Sequence, residues 1–139
     1  MQISLTDGSV SFERGSVDPR LDRAAFLATP LGANAERWFV NGPFETYRFL
    51  PEPGIVATAD FRDGRMVMVS LAFNLPDDSP ENVSMPRELM RKETHDAWLR
   101  EHLGEPPYRY NWGLVESVFY HQHCGSEITV SYQPGHAGT

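Results

Sequence analysis

His121-Gln122-His123 sets two imidazoles two residues apart, and Cys124 follows directly. Alternate strand residues share a face, so His121 and His123 in a strand could hold Zn, Ni or Cu. A third ligand would have to come from Cys124, His95 or His102. The same stretch has turn composition, since Gly125-Ser126 comes next, and alternation breaks down in a turn. An exposed polar turn is therefore the simpler reading, and no cofactor is expected. His95 and His102 stand seven apart in a helical segment with Trp98 between them. They could form a small-ligand face, although a helix flank packed on a sheet explains them as well. Glu93 precedes His95 and Leu99 holds the position a second histidine would need, so the HExxH pattern of zinc peptidases is absent.

Nucleophilic chemistry finds little to work with. There is no G-x-S-x-G elbow, no Walker pattern and no dinucleotide glycine pattern. Cys124 could pair with His121 or His123, but nearness in sequence fixes no geometry. The carboxylates mark turns and helix surface, so no two-carboxylate glycosidase site emerges. No catalytic residue is assigned, and the chain is not expected to be an enzyme. Asp77-Asp78 with Glu81 is a short acidic run that could touch a basic protein or hold calcium weakly. EF-hand spacing is missing, and a solvated loop is the plainer reading.

These residues must be positioned by a chain of 139 residues, the size of one domain. Its hydrophobic content of 40% is normal for a folded protein. The formal net charge of −7 argues against nucleic acid and anionic membrane as partners and suits a basic protein. No apolar run approaches the roughly 20 residues that cross a bilayer. The single cysteine excludes an intrachain disulfide. With an opening that lacks a basic region followed by an apolar one, it leads us to expect a cytoplasmic protein.

Turn residues divide the chain. Gln2 to Leu5 and Ser9 to Glu13 alternate in polarity around Asp7-Gly8, which predicts a hairpin. Gly15 to Pro19 reads as loop. Leu21 to Ala28 is a short helix, stopped by Pro30 and Gly32. Asn34 to Pro43 is ambiguous. Phe44 to Leu50, Ile55 to Phe61 and Arg65 to Phe73 are strands, separated by Pro51-Glu52-Pro53-Gly54 and by Asp63-Gly64. Residues 74–84 form a surface loop. Pro86 to Leu103 is a long helix ended by Gly104 and Pro106-Pro107. Leu114 to Tyr120 and Glu127 to Tyr132 form a last strand pair, and the tail from Pro134 should fray. The order ββ-α-βββ-α-ββ predicts a single α+β domain over residues 1–133. Its sheet is mainly antiparallel, of six or seven strands, with one long and one short helix.

A sheet with one wet face should alternate apolar and polar residues. The strand from Arg65 carries Val67, Val69, Leu71 and Phe73 on one face, yet Met66, Met68 and Ala72 on the other. Either a segment such as 14–43 folds across the second face, or that face meets a partner. Met66, Met68, Asp77, Asp78 and Glu81 are thus the candidate partner contacts, and pairing as a homodimer is an alternative. Trp38, Trp98 and Trp112 read as core or core-edge residues. Trp112-Gly113 reads as an indole covering a sheet end, with a glycine that allows close approach.

His95-Asp96-Ala97-Trp98-Leu99, Leu103-Gly104, Trp112-Gly113 and Ile128-Thr129-Val130-Ser131-Tyr132 together resemble a pattern of small uncharacterised bacterial proteins. The pattern runs roughly H-D-x-W-L, L-G, W-G, S-x-x-D, I-x-I-x-Y, and the match spans about residues 87 to 132. Some such proteins are of the immunity type that neutralises toxins used between bacteria. The resemblance implies a fold and, as one form of protein binding, an immunity role. Tyr120-His121 stands where the pattern has an aspartate.

Overall fold

The computed structural model describes residues 1–133; the expected frayed tail, 134–139, lies outside them. Three short strands open the chain: β1 (Gln2–Ile3), β2 (Val10–Phe12) and β3 (Gly15–Val17). They form a small antiparallel sheet in the order β1-β2-β3. Two short helices follow, α1 (Arg23–Leu27) and α2 (Pro30–Ala33). The carboxylate of Asp22 and the hydroxyl of Thr29 cap their first turns. Pro30, expected only to stop a helix, takes the first turn of the second one, where its missing N–H costs nothing.

The main sheet begins with a four-strand meander: β4 (Glu36–Asn41), β5 (Phe44–Glu52), β6 (Ile55–Arg62) and β7 (Arg65–Phe73). Turn chemistry sets its register. Asp63 and Gly64 both have positive φ, the requirement of the two-residue turn that matches strand twist. A long helix, α3 (Met85–Leu103), follows a loop and starts on the cap of Ser84. Three further strands, β8 (Tyr108–Tyr110), β9 (Gly113–Tyr120) and β10 (Gly125–Tyr132), complete the sheet. Its order is β4-β5-β6-β7-β10-β9-β8, antiparallel throughout. The fold is α+β and mainly antiparallel, as the spacing of turns predicts. Three strands arise outside the predicted ones: the loop at Gly15 forms β3, the ambiguous segment after Asn34 forms β4, and β8 precedes Trp112.

One face of the main sheet is the core. Ala57, Ala59 and Phe61 of β6 lie beside Val69 and Leu71 of β7, then Ile128 and Val130 of β10. The small sheet, α1 and α2 cover one end of this face, and Phe26 meets Phe49 and Phe61. The α3 helix crosses the other end, over β7, β10 and β9. One hydrophobic cluster runs through both sheets.

Two expectations are corrected here. Residues 15–35 are used on the core face, so the opposite face is not covered by the 14–43 segment. Met66 and Met68 also do not share a face. The register passes from Asp60–Met68 to Phe61–Met66, a bulge that leaves Val67 without a partner. The extra residue turns Met66 into the core at 4% exposure, while Met68 stays on the open face.

Candidate binding face

The open face is built from the alternate residues of β5 to β7, β10 and β9. Its centre is small and polar: Thr58 lies beside Ser70, and Ser70 beside Thr129. Around it stand Asp60, Met68, Tyr120 and Glu127. Thr46 donates its hydroxyl to Asp60 at 2.6 Å, and Tyr120 donates to Glu127 at 2.8 Å. Burial pushes both carboxyls above the usual carboxylate range, and Asp60 adds to the effect at Glu127. Burial, then the Glu127 carboxylate, pushes the Tyr120 phenol up to about 12. Such half-desolvated groups on an otherwise wet surface are typical of contact sites.

The β4 edge of the sheet is apolar and exposed, with Phe39 and Phe44 on the open face and Val40 on the other. Trp38 is 58% exposed, Phe39 51%, Val40 50% and Phe44 41%. The expectation that Trp38 belongs to the core or its edge is therefore corrected. A bulge between Arg37 and Phe39 inserts Trp38 into the strand. Its ring lies under the guanidinium of Arg48 at 5.2 Å, and Phe44 lies under Arg62 at 5.5 Å. Beyond β4 there is no further strand among the described residues. Arg37, Arg48 and Arg62 make no ion pair among the described residues.

From this edge a groove of about 440 Å³ runs between Trp38, Arg48, Val56 and Ala72 on the sheet and Ser79, Val83 and Arg87 at the start of α3. Its far wall explains an oddity of α3. This helix buries Glu88, Arg91, His95 and Leu99 and exposes Met85, Leu89 and Met90. An ordinary surface helix does the reverse. The cause lies in the sheet. Ladder pairing between β7 and β10 ends at Leu71–Ile128. Beyond that pair the strands part and leave backbone groups that need partners. Side chains of α3 supply them. Phe73 donates its N–H to His95 Nε2 at 3.1 Å, its carbonyl accepts from Arg91, and Ser126 donates its N–H to Glu88 at 3.0 Å.

The predicted site residues are scattered by this arrangement. Asp78 grips Arg87 and Arg91, each at 2.8 Å, and the Arg91 guanidinium holds its carboxyl far below the usual range. It anchors the loop to α3 and is not free to meet a basic protein. Asp77 offers its carbonyl to Asn82, and Glu81 is exposed in the short turn Pro80–Asn82. His95 is fully buried, whereas His102 is exposed and stacked on Trp98. They share no pocket. His121 packs on Phe119, and His123 on Tyr120, residues of opposite sheet faces. Among the described residues no group of three or more His, Cys, Asp or Glu could hold a metal ion. A separate cleft of about 330 Å³ lies between α3 and β8–β9, where Lys92 pairs with Asp96 at 3.0 Å.

His95 carries a measurable consequence. Because Nε2 accepts from Phe73, its proton sits on Nδ1, and burial, with Arg91 nearby, pushes its pKa down from 6.5 to about 4. The unfolded chain therefore takes up this proton first as pH falls, and stability is lost from about pH 6.5 downward. The loss is about 2–3 kcal/mol between about pH 7.5 and about pH 4.5. Asp60 and Glu127 act with the opposite sign, since their raised values favour the folded state as pH falls. Comparison of the wild type with His95→Gln by urea denaturation isolates the histidine. The variant is expected to be less stable near pH 7.5, and the gap should shrink by that amount near pH 4.5. A gap that does not change with pH would contradict a neutral buried imidazole.

The sequence reading missed Trp38, Phe39, Arg48, Arg62, Asp60, Glu127 and Tyr120. One signal was available: three successive large apolar residues, Trp38-Phe39-Val40, in the segment whose structure was ambiguous. Among the described residues no helix is long and apolar enough to cross a membrane. No family model matches this chain, and comparison with curated proteins and with solved structures finds no match.

Proposed function

We propose that this chain is a non-enzymatic protein-binding domain that takes its partner on β4 and the adjoining open sheet face. One observation carries the reading. A six-residue edge strand keeps an aromatic and aliphatic row in water, with no strand beyond it among the described residues. Soluble proteins usually blunt such edges; β4 has a bulge at Trp38 yet still leaves Trp38, Phe39 and Val40 exposed, and an open edge is a template for another strand. Tryptophan, phenylalanine and arginine are also the side chains that dominate binding energy at interfaces. Glu88, Asp78 and His95 are spent on Arg91 and on the backbone, so none of them is offered as a catalytic group. An immunity role, which the C-terminal resemblance implies, is a specific form of this reading.

Two results are expected. Replacing Trp38 and Phe39 with serine should leave the fold intact at a cost of about 1–3 kcal/mol, because both side chains are more than half exposed. A photo-crosslinking benzoylphenylalanine at position 39, in the cells that make the protein, should give a discrete adduct. The same group at position 101, on the exposed surface of α3, should not. Equal adducts from both positions, or none from 39, would overturn the reading.

A further inference from the structure

We infer that the centre of the open face takes an arginine or lysine side chain of a different protein. The inference rests on the reading of this face as a binding surface and adds the chemistry of the group it receives.

The centre is a row of hydroxyls that the fold leaves without partners. Thr58, Ser70 and Thr129 stand side by side across β6, β7 and β10. Ser70 is 7% exposed and Thr129 3%, yet neither hydroxyl makes a hydrogen bond within the described residues. They also differ from the enclosed, unpartnered His95 Nδ1 and Ser117 Oγ, which solvent does not reach. The Ser70 and Thr129 oxygens look out of the sheet, between larger neighbours such as Met68 and Glu127. Buried polar groups normally have partners, so this pair is set to meet one from outside.

Carboxylates ring the pair. Glu116 is directly opposite Thr129, Glu127 lies two residues before it on the same strand, and Asp60 is diagonal to Ser70. All three act on the Tyr120 phenol, which places them around one spot. None of the three makes an ion pair among the described residues. Asp60 spends one oxygen on Thr46 and Glu127 one on Tyr120. At the β4 edge the signs are mixed, with Glu36 opposite Arg48. At the centre no lysine or arginine acts on Asp60, Glu127 or Tyr120. The guanidiniums of Arg48 and Arg62 are held over Trp38 and Phe44, and Arg109 stands on β8 opposite Leu114. His123, stacked on Tyr120, is the base that acts on Glu127.

A cationic side chain meets these requirements together. Its N–H groups donate to the two hydroxyls and to the unused carboxylate oxygens, and such charge-assisted bonds are the strong ones. The −7 of the chain draws it in. A bare metal ion fits less well, because among the described residues no group of three or more His, Cys, Asp or Glu closes on one. An anionic group, nucleic-acid phosphate included, would face three carboxylates.

The test uses the full chain, nitrogen-15 amide spectra and four probes. These are a short capped peptide alternating valine and arginine, its citrulline counterpart of similar shape without charge, its glutamate counterpart, and calcium chloride. The arginine peptide should shift the amides of Ser70 and Thr129 and bind at least about tenfold more tightly than the citrulline or glutamate peptide. Asp60→Asn with Glu127→Gln should abolish that preference, with thermal melting to confirm the fold. Thr129→Val, which keeps the shape and removes the hydroxyl, should weaken the arginine peptide about threefold to tenfold. Glu116→Gln, on an exposed side chain, should weaken it too and carries the test if the double variant does not fold. Equal binding of the citrulline peptide, preference for the glutamate peptide, shifts that avoid Ser70 and Thr129, or calcium moving the same amides at lower concentration would overturn the inference. So would a dimer, seen by light scattering, that the double variant dissociates. The crosslink at position 39 separates the two failures. An adduct whose yield is unchanged in the double variant leaves the edge reading standing and removes the cationic side chain, whereas no adduct in any background removes both.

Discussion

Arg91→Leu is expected to destabilise the fold by about 3–5 kcal/mol, the range for breaking a buried ion pair from one side. Arg91 holds Glu88 through Nε at 3.1 Å and Asp78 through Nη1 at 2.8 Å, and it also donates to the carbonyl of Phe73. Removing it leaves the buried Glu88 carboxyl without its ion-pair partner, one carbonyl without its donor, and the loop before α3 without its main anchor. Arg91→Lys should recover little, because one ammonium cannot serve two carboxylates and a carbonyl in a fixed plane. Leu89→Ser, two residues away on the opposite side of the same helix, should cost within about 0.5 kcal/mol because Leu89 faces water. Urea denaturation of the three variants checks the order. A larger loss for the leucine than for the arginine would show that the helix is held by ordinary apolar packing.

Trp112→Ala is expected to cost a similar amount, about 3–5 kcal/mol. Trp112 is completely buried, and its indole N–H donates to the carbonyl of Leu5 at 3.0 Å. Tyr132 donates its hydroxyl to the carbonyl of Gly8 at 2.8 Å. Together they fasten the first hairpin to the end of the main sheet. Gly8 must have no side chain: its φ is +79°, and a Cβ there would sit 2.5 Å from the Trp112 ring. Hydrogen exchange should show protection lost first in β1 and β2 in Trp112→Ala. Trp112→Phe should keep most of the packing and lose the hydrogen bond, a cost of about 1–3 kcal/mol. If alanine and phenylalanine proved equally harmful, the hydrogen bond rather than burial would be the main contribution.

What was legible in the sequence was what local residues decide. Asp63-Gly64 and Pro53-Gly54 fix the turns of the meander, so β5, β6 and β7 could be drawn nearly to their ends. Pro86 and Gly104 likewise bound α3. Gly113 behaves as its place after Trp112 suggests, since a Cβ there would meet the carbonyl of Ser131 at 1.9 Å. What was not legible depends on distant partners. Strands β3 and β8 have three residues each, too few for a pattern. The bulge at Val67 arises from pairing with β6, so alternation read from one strand placed Met66 on the wrong face. The inward polar face of α3 makes sense only beside the gap between β7 and β10, and no window of the helix reveals that gap. The arginines at the β4 edge come from three strands. In sequence they look scattered, and only the sheet brings Arg48 over Trp38 and Arg62 over Phe44.

The place of β10 has a consequence for how this chain folds. It is the last described strand in sequence, yet it sits inside the sheet, between β7 and β9. Until it arrives, the meander β4 to β7 presents Val69 and Leu71 along an open edge, with the core face half built. Insertion of β10 must close the long excursion through α3 and β8, and the entropy of that closure falls on the rate of folding rather than on final stability. The partly folded chain therefore has two open edges, β4 and β7, and only β7 is sealed by the chain itself. Self-association through β7 in this state would compete with completion of the fold.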